Sequence, residues 1–173
     1  SQGAEIDAFG VGERLITAKS DPVFGGVYKL VATEKNGVIE PKIKISENPG
    51  KITNPHYKKV YRIYDNDSGK AIADLLCVYD ETIDEAKPLE IFDPQNTWKR
   101  KTITNYHLRE LLVPVFQNGE CVYTSPSAAD IRSYCAAQTD KLWDEVKRFE
   151  NPHAYYVDLS KKLWDIKQEM LRK

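Results

Sequence analysis

From residue 25 to about residue 123 apolar positions come in short runs, several alternating with polar ones, and turn-forming residues separate the runs. Residues 27–34 and 38–45 flank Asn36-Gly37, a dipeptide suited to a type I′ turn because both turn positions need positive φ. Within the second run, Lys42-Ile43-Lys44-Ile45 alternates as a half-buried strand does. Residues 57–64 and 71–79 flank Asn66-Asp67-Ser68-Gly69 and predict a second hairpin. Residues 88–92 and 98–104 continue the strand pattern. A third hairpin at Asn118-Gly119 pairs residues 113–116 with residues 121–123. The whole stretch predicts an antiparallel β unit.

After Tyr123 the period lengthens from two to about 3.6. Ser127 and Asp130 have the spacing of a capping box. Ile131, Tyr134, Cys135, Leu142, Val146 and Phe149 then form an apolar stripe that Asn151-Pro152 terminates. Asp158 is the expected cap of a second helix carrying Leu159, Leu163, Ile166 and Met170 on one face. Strands first and helices last predict an α+β fold. The acidic stretch 80–85 reads as a solvated loop.

The start of the chain is different. Ile6-Asp7-Ala8-Phe9 reads as a short strand, Gly10-Val11-Gly12 as a turn, and residues 13–18 as a short helix or loop ending near Asp21-Pro22. Glycines one residue apart let a backbone approach a ligand closely and offer successive N–H groups to an anion, most often phosphate. Unpaired, residues 6–9 are an apolar edge, so they are expected to add onto another strand.

Composition narrows the classes. The 173 residues, 41% hydrophobic and 29% charged, suit one soluble domain with a core, or a domain plus a piece of another. A net charge of −1 provides no basic field for nucleic acid or an anionic membrane. No apolar run approaches the ~20 residues that span a bilayer, and the first residues lack the pattern of a signal peptide. Cys77, Cys121 and Cys135, odd in number and widely spaced, suggest reduced thiols and a cytoplasmic protein.

Most candidate chemistry falls away. His56, His107 and His153 have no second ligand at metal spacing, and no serine stands in a nucleophile elbow. Lys58-Lys59 and Lys99-Arg100-Lys101 fit the solvated face of a sheet better than an RNA surface. Trp143 and Trp164 read as packing residues on amphipathic helices.

Residues 6–17, Gly25-Gly26-Val27-Tyr28-Lys29-Leu30-Val31, Lys42-Ile43-Lys44-Ile45-Ser46-Glu47-Asn48-Pro49-Gly50-Lys51, Lys59-Val60-Tyr61-Arg62 and Leu111-Leu112-Val113-Pro114 together resemble nicotinate phosphoribosyltransferases. Leu142-Trp143-Asp144-Glu145, Asn151-Pro152-His153, residues 156–160 and Leu163-Trp164-Asp165 extend the resemblance over essentially the whole chain. It implies an enzyme of NAD salvage that joins nicotinate to phosphoribosyl diphosphate, releasing nicotinate mononucleotide and diphosphate. ATP hydrolysis and Mg²⁺ accompany the reaction, and the enzymes are commonly homodimers. The implied fold is a distorted α/β barrel, of which residues 1–24 are the last strand and its phosphate loop. Residues 25–173 are then a β-rich antiparallel C-terminal domain ending in two helices.

On that resemblance the amides of Gly10, Val11, Gly12 and Glu13 hold the 5′-phosphate of the product. Lys29 closes one side of the site, or is simply a solvated strand lysine. Family members often have Thr where this chain has Glu13, whose carboxylate repels phosphate unless it turns away or pairs with Arg14. The catalytic histidine, base pocket and diphosphate site are expected upstream of Ser1, so no catalytic residue is assigned and no cofactor is expected on this piece alone. A non-catalytic structural or dimerisation module is the alternative from another class. A nicotinamide-using relative, whose loop tends to be richer in glycine, is the alternative within enzymes.

Overall fold

Residues 71–78, Ala-Ile-Ala-Asp-Leu-Leu-Cys-Val, are small or apolar at every position but Asp74, as a strand covered on both faces must be. In the computed structural model, which describes residues 5–8, 10–19, 22–23 and 26–172, they form the innermost strand. The strands in chain order are β1 (Ala32–Lys35), β2 (Val38–Pro41), β3 (Lys58–Asp65), β4 (Ala71–Val78) and β5 (Leu89–Phe92). They continue with β6 (Arg100–Ile103), β7 (Tyr106–Glu110), β8 (Phe116–Gln117), β9 (Glu120–Cys121) and β10 (Tyr156–Leu159). The helices are α1 (Glu13–Ile16), α2 (Ala128–Asp140) and α3 (Lys161–Leu171).

The central sheet has the order β10-β4-β3-β7. β3 pairs antiparallel with both β4 and β7, whereas β10 lies parallel to β4 with Tyr156 opposite Ala73 and Leu159 opposite Leu76. The sheet is therefore mixed, not purely antiparallel as the sequence pattern predicts. A parallel neighbour needs a long crossover, and here it comprises residues 79–155, which also supply β5 to β7. β1–β2, β5–β6 and β8–β9 are separate two-stranded ribbons.

Two apolar layers lie on the central sheet. On one face Ile63, Ala73, Leu75 and Cys77 pack with Ile91 and Ile103 of the β5–β6 ribbon and with Tyr106. On the other, Val78 and Leu159 pack under Leu163 of α3, flanked by Leu76, Trp164 and Ile166. Trp164 also meets Phe92 edge-on with ring centroids 5.9 Å apart, and its indole N–H donates to the Pro94 carbonyl at 3.3 Å.

Local signals are realised where local chemistry decides. Asn36 and Gly37 take φ of 52° and 76°, Asn118 and Gly119 of 50° and 83°, and each pair joins two strands through a two-residue loop. The Ser127–Asp130 capping box opens α2. Other expectations fail for physical reasons. Residues 42–45 are not a strand, because Lys44 donates its amide to the Thr53 hydroxyl (2.9 Å) and accepts from the Thr53 amide (3.4 Å) instead of extending the ladder.

α2 stops at Asp140, where the Lys70 ammonium donates to the Asp140 carbonyl (2.6 Å) and the Ala71 amide donates to the Lys141 carbonyl (2.8 Å). Leu142, Trp143, Val146 and Phe149 therefore lie beyond the helix. The cap of α3 is Ser160, whose hydroxyl accepts from the Leu163 amide (3.1 Å); Asp158 and Leu159 belong to β10. The acidic stretch is bonded, since Glu81 accepts from the Val78 amide (2.6 Å) and the Ser160 hydroxyl (2.7 Å), and Asp80 pairs with Lys162 (2.7 Å). Residues 6–8 join no ladder among the described residues, and Phe9 lies outside them. A lone strand leaves both rows of backbone groups unpaired and does not persist by itself.

Leu163 is fully buried between α3 and the β4–β10 pair. Leu163→Ala is expected to lower stability by about 2–5 kcal/mol in urea unfolding. A loss below about 1 kcal/mol would mean that α3 is not docked in this way.

Candidate functional site

The glycine turn precedes α1 and is exposed throughout. Neither Gly10 nor Gly12 has positive φ, and a Cβ added at either meets no atom within 4 Å. What these glycines contribute is open access to their backbone. Among the described residues no carbonyl accepts from the amides of Gly10, Val11 or Gly12. The Glu13 carbonyl accepts from the amide (2.9 Å) and hydroxyl (3.0 Å) of Thr17, and no Glu13–Arg14 ion pair forms among the described residues. The exposed Lys29 ammonium donates to the Tyr28 carbonyl at 3.4 Å, and no hydrogen bond or ion pair joins it to residues 10–13. Lys29 and the turn are not brought together here.

Side chains rejected on sequence grounds have structural occupations. His107 stacks on Tyr64 with centroids 5.1 Å apart and bonds Asn66 at 2.6 Å. Lys58 donates to the carbonyls of Asn54 (2.8 Å) and His56 (2.6 Å), and Arg100 pairs with Glu90 at 2.5 Å. Cys77 is buried, which pushes its thiol up to about 12, while Cys121 and Cys135 are exposed free thiols. No cluster of three or more His, Cys, Asp or Glu suited to a metal exists among the described residues.

Two polar centres lie on opposite faces of the central sheet, and neither follows from motif spacing. On the α-helical face Arg62 of β3 and Asp74 of β4 are register partners. Arg62 holds the carboxylate with both arms, Nε at 2.8 Å and Nη2 at 2.9 Å, and the Tyr155 hydroxyl donates to the same carboxylate at 2.9 Å. The Asp74 carboxylate raises the Arg62 guanidinium further above its usual range, and burial raises the Tyr155 phenol. Such a forked, charge-assisted pair orients strands but offers no free group for chemistry.

On the ribbon face an open groove of about 1330 Å³ runs between β10, the β5–β6 ribbon and residues 143–156. Trp143, His153 and Tyr156 line it, and Asp158 lies at its base. Asp158 is 4% exposed, yet no hydrogen bond or ion pair to its carboxylate forms among the described residues. Burial, and then the nearby Asp93 carboxylate, push it up to about 6. The signal that marks both centres in the sequence is an acid embedded in an apolar run, Asp74 within residues 71–78 and Asp158 within residues 155–159.

The elevated carboxyl has a pH signature. Asp158 keeps its proton to about pH 6 when folded, against ~4 when unfolded, so the folded state binds the extra proton between those values. Its contribution therefore makes stability rise, by something on the order of 2 kcal/mol, as pH falls from about 6 to about 4. Asp158→Asn removes that contribution. Urea midpoints of both proteins at pH 4.5 and 7.0 check this, and identical pH slopes would contradict it.

Comparison with known proteins places these features in a family. The family described as Nicotinate phosphoribosyltransferase C-terminal domain matches residues 57–167, from the start of β3 to the middle of α3. The nicotinate phosphoribosyltransferase of Bacillus subtilis (strain 168) is 41% identical over 171 residues, covering 99% of this chain and 35% of that protein. The Homo sapiens nicotinate phosphoribosyltransferase is 30% identical over 94% of this chain and 29% of its own length. The crystal structure of human nicotinic acid phosphoribosyltransferase superposes with a TM-score of 0.67 at 25% identity, over 85% of this chain and 27% of that one. The chain thus spans about a third of the length of the curated relatives it matches. With β3, β4, β7, β10 and the first part of α3 inside the matched segment, the chain belongs to the nicotinate phosphoribosyltransferase C-terminal domain family.

Proposed function

We propose that this chain is the C-terminal part of an enzyme that joins nicotinate to phosphoribosyl diphosphate, giving nicotinate mononucleotide and diphosphate with coupled ATP hydrolysis. The observation that carries the reading is 41% identity maintained over 99% of the chain with a nicotinate phosphoribosyltransferase. In this reading residues 6–9 are a barrel strand that forms once the neighbouring strands of the longer polypeptide flank it. The amides of Gly10, Val11, Gly12 and Glu13 then donate to the 5′-phosphate of the nucleotide. The open, unbonded backbone at Gly10 to Gly12 supports that role, since hydrogen bonds to a charged acceptor are stronger than neutral ones. The Glu13 side chain points away from the phosphate, and Lys29 approaches only when the rest of the barrel arranges its segment.

Mg²⁺ and ATP are assigned to the larger polypeptide. The enzyme works in the cytoplasm as a homodimer.

The test is a chimera in which this chain replaces the matching part of the Bacillus subtilis relative. The chimera is expected to form nicotinate mononucleotide, with nicotinate preferred over nicotinamide, while the 173 residues alone form none. Because a side chain at Gly12 meets nothing within 4 Å, Gly12→Val leaves the fold intact. In the chimera the added side chain holds the phosphate off this amide, and the loss of roughly one charge-assisted hydrogen bond is expected to raise KM for the phosphoribosyl donor about tenfold. A folded but inactive chimera would overturn the enzymatic reading, and an unchanged KM would overturn the cradle.

A further inference from the structure

We infer that the groove over Asp158 receives an arginine side chain from another stretch of polypeptide, with Asp158 as its acceptor and Trp143 and Tyr156 as its stacking walls. Two neighbouring carboxylates are unequally bonded. Asp93 is satisfied by the amides of Gln95 (2.8 Å) and Asn96 (3.0 Å), the Asn96 side chain (2.9 Å) and Lys99 (3.9 Å). Asp158 has no such donor among the described residues although it is the more deeply buried of the two. The Asp158 oxygens are reached by the solvent of the groove, and a cationic donor in its place favours the ionised carboxylate more than water does.

Two cations around the groove are committed elsewhere. Arg100 is held by Glu90 (2.5 Å) and the Thr97 carbonyl (2.9 Å), and Lys99 reaches Asp93 and lies 5.2 Å from the centre of the Trp98 ring. The Lys101 and His153 side chains also line the groove, and neither bonds Asp158. No donor of this chain reaches Asp158 among the described residues, and its carboxylate faces the groove, where an outside donor can meet it.

Shape and chemistry select its kind. A groove of about 1330 Å³, open along one side, exceeds the ~300–1,000 Å³ that usually encloses a small molecule, and suits a chain segment. Exposed aromatic walls beside a carboxylate favour guanidinium over ammonium, because the planar fork matches the carboxylate and stacks on rings while carrying less bound water. The source is the polypeptide that the family carries beyond the matched third, so this step rests on the proposed function; the acceptor role of Asp158 does not.

The experiment follows the Asp158 carboxyl ¹³C resonance in the 173-residue chain during titration with N-acetyl-arginine amide, or with the uncharged N-acetyl-citrulline amide. The arginine probe is expected to move the resonance, lower its titration midpoint by about one unit, and shift the amides of Trp143 and Tyr156. Citrulline is expected to do neither, and Asp158→Asn to abolish the shifts at Trp143 and Tyr156. No response to arginine, an equal response to citrulline, or persistence of the shifts in Asp158→Asn overturns the acceptor role. In the chimera the midpoint is expected to be low already and insensitive to added arginine. A chimera that keeps the high, arginine-sensitive midpoint overturns the assignment to the rest of the polypeptide, whatever its enzymatic activity.

Discussion

A strand paired on both edges and covered on both faces leaves no room for water, so every group on it must find its partner within the protein. β4 is in that position, with β3 and β10 on its edges, the β5–β6 ribbon on one face and α3 on the other. α2, β10 and α3 come from distant parts of the chain, and bonds near the two ends of β4 hold the segments next to them. The Lys141 carbonyl takes the Ala71 amide at the beginning, and Glu81 bridges the Val78 amide and the Ser160 hydroxyl at the end. β4 thus sets the position of α2, β10 and α3 together.

The same constraint explains why two aspartates in one sheet behave oppositely. Asp74 lies opposite Arg62 across the β3–β4 ladder, and its charge is neutralised by a forked pair and a tyrosine hydroxyl. Asp158 lies opposite Leu75 across the β10–β4 ladder, on the face where the ribbon core begins. Removing Arg62 alone would leave Asp74 as a buried, uncompensated charge, the costly case. Asp158 has no donor from this chain among the described residues and meets the solvent of the groove above it.

What could be read from the sequence is what neighbouring residues decide. The Asn-Gly turns and the Ser127–Asp130 box need only local φ and local hydrogen bonds, and both formed where expected. Residues 42–45 and the end of α2 were decided by Thr53 and Lys70, partners that periodicity does not reveal. β10 was hidden because Tyr156-Val157-Asp158-Leu159 carries one acid and runs directly into the Ser160 cap, which reads as a helix start. Family resemblance was legible because it rests on ordered motifs rather than on pairing. The glycine turn was legible as a motif, and its geometry here is exposed backbone whose amides meet no carbonyl among the described residues.

If β4 is the element on which the rest depends, β10 and α3 have no stability of their own apart from it. Native-state hydrogen exchange of the 173-residue chain reads this directly. The amides of β4, β10 and the first turn of α3 are expected to exchange with one common free energy equal to that of global unfolding. Exchange of β10 and α3 through a separate, lower-energy opening while β4 stays protected would contradict it.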